Sequence, residues 1–350
     1  MNRNFALTIF GCLMAILSIC GASHARSLTW GFALDGYPVT RETISQVASS
    51  TSLSPDMIVF FLQWPAPGEN LTAHFPLESL SAITSIGAEP CITWEPMYIK
   101  DGREIAIMHA KITGGHYDTY IRHFAEEARE WKKPLLIRFG HEMNVKRYHW
   151  GTSEAEFGPK SPDIYKEMYR YVVDIFRKAG AGNVRWVFCA NAENVPDASY
   201  DPQASWNTIT AYYPGNDYVD ILGIDGYNWG TTRTREAHGW QSRWMSFREI
   251  FGKPVAELKK LSSSDPAKPV IVFETSTATA GGSKQEWIAS AIRESLELGI
   301  DGIVWFESDK EIDWRIESGT GKDHIRTIEN ARRSPAATEP DAGKAADRDQ

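Results

Sequence analysis

Two glutamates stand out because each follows an uninterrupted apolar run. Leu135, Leu136 and Ile137 lead into Arg138-Phe139-Gly140-His141-Glu142-Met143-Asn144, and Pro269-Val270-Ile271-Val272-Phe273 leads into Glu274-Thr275-Ser276. Short runs of this kind suit parallel strands buried on both faces. A charge at the end of such a strand is costly unless it has a partner or a task. Burial beside aromatic rings raises the pKa of a Glu and keeps it protonated, which is what a general acid requires. The plainer alternative is that Glu142 and Glu274 serve only as ion-pair partners of Arg138.

Eight strands can position such a pair. The candidates are Thr29–Ala33, Met57–Leu62, Glu89–Trp94, Leu135–Phe139, Arg185–Cys189, Ile221–Ile224, Val270–Phe273 and Gly302–Trp305. Amphipathic helical segments lie between them, most clearly Tyr117–Trp131, Asp163–Lys178 and Gln285–Leu298. Ile164, Met168, Tyr171, Val172 and Ile175 recur at three and four residues and mark one expected buried face. Ser283, with Glu286 three residues on, is an expected helix cap. Eight strands alternating with helices indicate an α/β fold, a single-domain (β/α)8 TIM barrel, with a doubly wound open sheet as the rival. No GxGxxG follows the first strand, which favours the barrel. In a barrel the fourth and seventh strands face each other, and chemistry sits at the C-terminal strand ends.

The segment Arg138–Asn144, with Trp150-Gly151 downstream, resembles the acid/base signature of glycoside hydrolase family 26. The run Val270–Ser276 resembles that family's nucleophile segment. The family comprises β-mannanases, β-1,3-xylanases and mixed-linkage β-glucanases on retaining (β/α)8 barrels. The resemblance implies Glu142 as acid/base and Glu274 as nucleophile, acting by double displacement on a β-linked polysaccharide. It further implies that His141 orients Glu142 or the nucleophile, where a lone His beside a core could equally be structural, that Tyr227 contacts the nucleophile, and that Trp305 floors the subsite where the bond is cleaved. Trp94 and Glu95 after the third strand, Asn191 and Glu193 after the fifth, and Gln63 and Trp64 after the second are expected at the rim. Trp150 and Arg138 belong to the same neighbourhood, and Asp225 either orients a sugar hydroxyl or caps its loop. The chain departs from many mannanases in two places. Val145-Lys146-Arg147-Tyr148 stands where they carry Gly and Trp, and Thr93-Trp94-Glu95-Pro96 stands where they carry a His. These departures lean towards a β-glucan such as mixed-linkage glucan. A catalytically silent carbohydrate-binding barrel, or a glycosidase processing the organism's own exopolysaccharide, are the competing functions; the presence of both glutamates speaks against the silent barrel.

The remaining composition narrows the setting. The formal charge of −8, without a Lys/Arg cluster, speaks against a nucleic-acid partner. Phe5 to Cys20 is apolar after a weakly positive start, and Ser23-His24-Ala25 offers small residues for cleavage, so residues 1–25 are expected to be a signal peptide. Export to the periplasm or the medium follows, with lipid attachment at Cys20 the less favoured route and no stable membrane partner. Residues 26–332 then form the barrel. From 333 to 350 the chain is poor in large apolar residues and is expected to be disordered. Cys91 and Cys189 fall in separate strands and are expected as free core thiols. The nine histidines form no HExxH pattern, so neither a metal nor another cofactor is expected. A monomer acting on polysaccharide is the resulting expectation.

Overall fold

In the computed structural model, the described residues are 28–316 apart from 72–73, 153 and 263–266. The expected leader and C-terminal tail lie outside them. Eight parallel strands close into a barrel: β1 (Thr29–Leu34), β2 (Met57–Gln63), β3 (Glu89–Glu95), β6 (Leu135–Phe139), β7 (Val184–Asn191), β8 (Ile221–Asn228), β9 (Val270–Thr277) and β10 (Gly302–Phe306). The remaining pair, β4 (Met97–Lys100) and β5 (Arg103–Ala106), is an antiparallel hairpin set on the loop after β3. Helices follow most strands: α1 (Arg41–Thr51), α2 (Leu77–Ser85), α3 (His109–Thr113), α4 (Asp118–Trp131), α5 (Ser161–Ala179), α6 (Arg235–His238), α7 (Phe247–Leu261) and α8 (Lys284–Leu298). Closure of β1 on β10 rules out the doubly wound sheet.

Side-chain alternation divides the core in two. Ala33, Val59, Cys91, Leu136, Val187, Cys189, Ile271, Phe273 and Val304 fill the barrel interior. Their neighbours in sequence, such as Ile58, Ile92, Ile137, Phe188, Val272 and Ile303, pack against the helices. Cys91 and Cys189 are buried free thiols. Gly223 occurs where an inward Cβ would lie 2.8 Å from the Cβ and Sγ of Cys189 and 2.9 Å from Phe273, so the close approach of β7, β8 and β9 requires glycine.

Helix α5 shows how the outer layer is built, and corrects one expectation. Its buried residues include Tyr165, Met168, Tyr169, Val172, Val173 and Phe176, while Ile164, Tyr171 and Ile175 are only partly covered. The buried stripe is rotated towards the large aromatics because Tyr169 and Phe176 pack on Trp186 of β7. Each large apolar side chain buried there contributes about 1.5–3 kcal/mol. Ser283 Oγ accepts from the Glu286 N–H at 3.2 Å, as expected of a cap for α8. At the start of α7, Ser246 and Glu249 satisfy each other's backbone N–H groups in a full capping box.

Candidate active site

The C-terminal strand ends gather the polar side chains, and inward alternation selects which ones. Leu136 faces inward on β6, so Arg138 does too. It is wholly buried, with Nε and Nη2 donating to Thr93 Oγ1 at 2.9 and 2.7 Å and Nη1 donating to Asp225 Oδ2 at 2.6 Å. Nη2 also donates to Glu274 Oε1. Strict alternation on β9 would turn Glu274 outward, since Phe273 already faces the interior. A bulge prevents this. Ile224 pairs with Val272 but Asp225 pairs with Glu274, so one extra β9 residue is accommodated and Glu274 joins Phe273 inside. Its second oxygen accepts from the Tyr227 hydroxyl at 2.6 Å. Both carboxylate oxygens are thus held, one by a cation and one by a neutral donor. Glu274 is therefore a partner of Arg138 as well as a candidate nucleophile.

Glu142 follows the end of β6 in a tight reversal. Gly140 and Glu142 both have left-handed backbones, with φ +54° and +51°. For a non-glycine residue this costs of order 1–3 kcal/mol and persists only where the surroundings enforce it. Here the Glu142 N–H donates to Cys189 O at 2.8 Å, and Asn191 Nδ2 donates to Glu142 Oε1 at 2.8 Å. Asn144 holds that arrangement together. Its Nδ2 donates to the carbonyls of Asn191 and Glu193 and to Asn194 Oδ1, while its Oδ1 accepts from the Asn191 N–H at 2.8 Å. The loop after β7 is thereby fastened to the loop after β6.

Electrostatics separate the two glutamates. Burial, reinforced by the negative charge of Glu274, pushes the Glu142 carboxyl up to about 7, with the Asn191 hydrogen bond opposing. Burial also raises Glu95 to about 7, opposed by Gln63 Nε2, which donates to its Oε2 at 2.5 Å. The Tyr227 hydroxyl is pushed well up by burial and by Glu274, so it keeps the proton it donates. His141 is held well below its ordinary value, first by burial and then by the Arg138 charge, and is neutral. It packs between Phe61 and Tyr148, and Trp150 stacks on Tyr148 while donating from Nε1 to the His141 carbonyl at 2.7 Å. His141, Asp225 and Glu274 each offer a potential metal-ligand atom within 4.8 Å of one another. The Arg138 guanidinium already sits on both carboxylates, so the positive charge at that point is a side chain, which disfavours a second cation.

Most expected site residues therefore converge: Arg138, His141, Glu142, Asn191, Asp225, Tyr227, Glu274, Glu95 and Gln63. Asp225 does not cap its loop; it is buried against Arg138 and accepts from Cys189 Sγ at 3.2 Å. Trp150 acts on the site through the His141 loop. Three expectations are corrected, for Trp94, Trp305 and Trp64. Trp94 is buried among Trp64, Tyr120, Phe124 and Phe139, and its Nε1 donates to Tyr120. Trp305 stacks on Trp30, contacts Trp287 of α8, and belongs to the outer layer. Both neighbour an inward residue, Glu95 in one case and Val304 and Phe306 in the other, so alternation turns them away from the cleft. Trp64 is likewise buried in the outer layer, and Glu193 is exposed at the loop tip. The aromatic ring near the nucleophile from the last strand's loop is instead Trp314, 4.9 Å from Tyr227 between ring centroids. Neither Trp314 nor Asn144 was singled out from sequence, although Asn144 stands inside the Arg138–Asn144 segment.

Comparison with known proteins agrees with this layout. The family model described as Glycosyl hydrolase family 26 matches residues 108–242. Endoglucanase H of Acetivibrio thermocellus is 35% identical over 318 residues, covering 89% of this chain and 32% of that protein. A mannan endo-1,4-beta-mannosidase of Bacillus subtilis is 29% identical over 129 residues, 36% of this chain and 30% of that protein. The chain thus spans about a third of the length of these curated relatives. Among solved structures, the catalytic domain of the Bacillus sp. JAMB-750 GH26 endo-beta-1,4-mannanase superposes with a TM-score of 0.62 at 16% identity, covering 88% of this chain and 87% of that one. A GH26 beta-mannanase from Bacteroides ovatus gives 0.58 at 14% identity, covering 93% and 96%. These two likenesses concern the fold. The matched segment, the long alignment to the endoglucanase and the closed barrel together support membership of glycosyl hydrolase family 26.

Proposed function

We propose that this chain is an exported glycoside hydrolase that cleaves β-linked polysaccharide internally and with retention, favouring β-glucan over β-mannan. The observation that carries the reading is the unequal treatment of two neighbouring carboxyls. Glu142 is buried with one neutral donor and keeps its proton near neutrality, whereas Glu274 accepts hydrogen bonds from Arg138 and Tyr227 on both oxygens. One is suited to give a proton and the other to attack.

In the first step a Glu274 oxygen bonds to the anomeric carbon as the bond to the leaving sugar oxygen breaks. Glu142 delivers its proton to that oxygen, so the departing chain leaves as an alcohol. Glu142, now a carboxylate, then takes a proton from water as the water oxygen attacks the same carbon. The ester to Glu274 breaks and both carboxyls return to their starting states. Two inversions amount to retention. Asn191 favours the charged form of Glu142 that the second step needs. Tyr227 and Arg138 fix the attacking group, which lowers the entropic part of the barrel's task.

The glucan preference rests on Glu95. In place of the His that many mannanases carry after the third strand, this chain presents a buried carboxyl, pinned by Gln63, towards the site. A buried polar group that pairs with one hydroxyl orientation rejects the other, because it is left unpaired. The 35% identity to a protein named as an endoglucanase, over most of this chain, supports the same choice. Initial rates of reducing-end release on lichenan and on mannan at matched concentration test the proposal. Faster hydrolysis of lichenan is expected. A clear preference for mannan overturns the glucan assignment, and no release from any β-glycan overturns the hydrolase reading itself.

A further inference from the structure

We infer that the loop between β8 and α7 carries an additional sugar-binding platform, Trp240, reached from the catalytic centre through Trp229. This inference rests on the hydrolase reading above and extends it to residues remote from the bond that is cut. From the Tyr227 ring, which touches Glu274, the next ring is Trp229 at 6.4 Å, and Trp240 lies 5.7 Å beyond it. Trp314 braces the same row, 4.8 Å from Trp229 and 4.9 Å from Tyr227. The row begins at the nucleophile and ends on the surface, where Trp240 is 44% exposed.

An exposed indole on a loop is commonly a poorly held side chain, but this loop is fastened throughout. The Arg233 N–H donates to Ser242 Oγ at 3.0 Å and the Ser242 N–H to the Arg233 carbonyl at 3.1 Å, closing the excursion at its neck. Within it, α6 is capped by Thr234, and the Thr234 N–H also donates to His238 Nδ1 at 3.1 Å. At its foot the Met245 N–H donates to Asn228 Oδ1 at 2.9 Å. The Arg233 guanidinium covers one Trp229 face at 4.6 Å, so Trp229 is a wedge held from several sides. Trp240 packs on it nearly perpendicularly, at 86°, and its own ring is left towards solvent. The ordering cost of a binding surface is therefore met before a ligand arrives. What marks this ring as a contact site is its continuity, through Trp229, with the aromatic row that starts at Tyr227 beside the nucleophile. The ligand class that suits it is a pyranose ring of the same glycan chain, whose CH-rich face stacks on an indole. The occupant is then a sugar of the bound polymer beyond those in contact with Glu274, and the platform adds binding for long substrates that short ones do not receive.

The test compares Trp240→Ala and Trp240→Phe with the natural enzyme, on lichenan and on a short aryl β-glucoside that occupies only the catalytic centre. A stacked aromatic pair corresponds to about a three- to tenfold change in affinity. Trp240→Ala is expected to raise KM for lichenan by about that factor and to lower the ratio of lichenan to aryl glucoside efficiency equally. Trp240→Phe is expected to recover most of the ratio, which a merely structural loop residue does not predict. An unchanged ratio in Trp240→Ala, with both substrates still turned over, overturns this inference alone. If the natural enzyme hydrolyses neither substrate, the β-glucan reading fails and the platform proposed for that chain falls with it.

Discussion

Replacing Asn191 with Ala is the most informative small perturbation of the acid. The Asn191 amide donates to Glu142 Oε1 at 2.8 Å and favours the ionised carboxylate, so its loss leaves burial and the Glu274 charge less opposed. The sign follows directly: Glu142 starts at about 7, and removal of a donor that prefers the anion moves it higher. A hydrogen bond to a charged group contributes about 1.5–3 kcal/mol, and each pH unit corresponds to about 1.4 kcal/mol. The alkaline limb of kcat/KM, where the general acid loses its proton, therefore moves upward by about one pH unit or slightly more. The loop itself survives, because Asn144 still bonds the backbone of residue 191 and the Glu193 carbonyl. The assay is the pH dependence of kcat/KM on lichenan between mildly acidic and alkaline values, with thermal melts to confirm folding. An alkaline limb that stays in place or moves to lower pH refutes the assignment of that limb to Glu142.

Further outcomes follow from the same network. Tyr227→Phe removes the donor to Glu274 Oε2 while leaving the ring's contact with Trp314; kcat is expected to fall by about 10- to 100-fold with little change in melting temperature. Melting unaltered and kcat unaltered together would show that the hydroxyl does not position the nucleophile. Arg138→Met strands Asp225 and Glu274 as buried carboxylates without their cation; denaturant titration should show a loss of about 3–5 kcal/mol, and a loss below about 1 kcal/mol contradicts the buried-pair account.

Strand positions are legible because eight short apolar runs alternate with helical segments, and Glu142 and Glu274 stand out because each follows such a run. The misplaced tryptophans share one physical origin, strand parity. Trp94 and Trp305 stand at strand ends, which suggested the cleft, but each alternates with an inward neighbour and so packs on the helices. Glu274 faces the barrel interior only because a bulge in β9 breaks the alternation that would have turned it outward, and no feature of Val270–Ser276 announces that bulge. The part played by Asn144 was hidden differently. Its four partners lie near residues 191 to 194, so its role depends on a contact between two loops distant in sequence. On α5 the three- and four-residue pattern identified a helix, while the aromatic residues beside that pattern decided which way it faces.

The central claim is that Glu142 is the acid/base and Glu274 the nucleophile. It is tested most directly by azide rescue of Glu142→Ala and Glu274→Ala on an activated aryl glycoside, with the anomeric configuration of the glycosyl azide read by NMR. Such a substrate needs little acid assistance, so Glu142→Ala should still form the ester on Glu274 and release an azide of retained configuration, because azide replaces water in the second displacement. In Glu274→Ala azide attacks the substrate itself in a single displacement, and the product should be inverted. Exchange of these two outcomes between the variants, or the same configuration from both, would contradict the assignment.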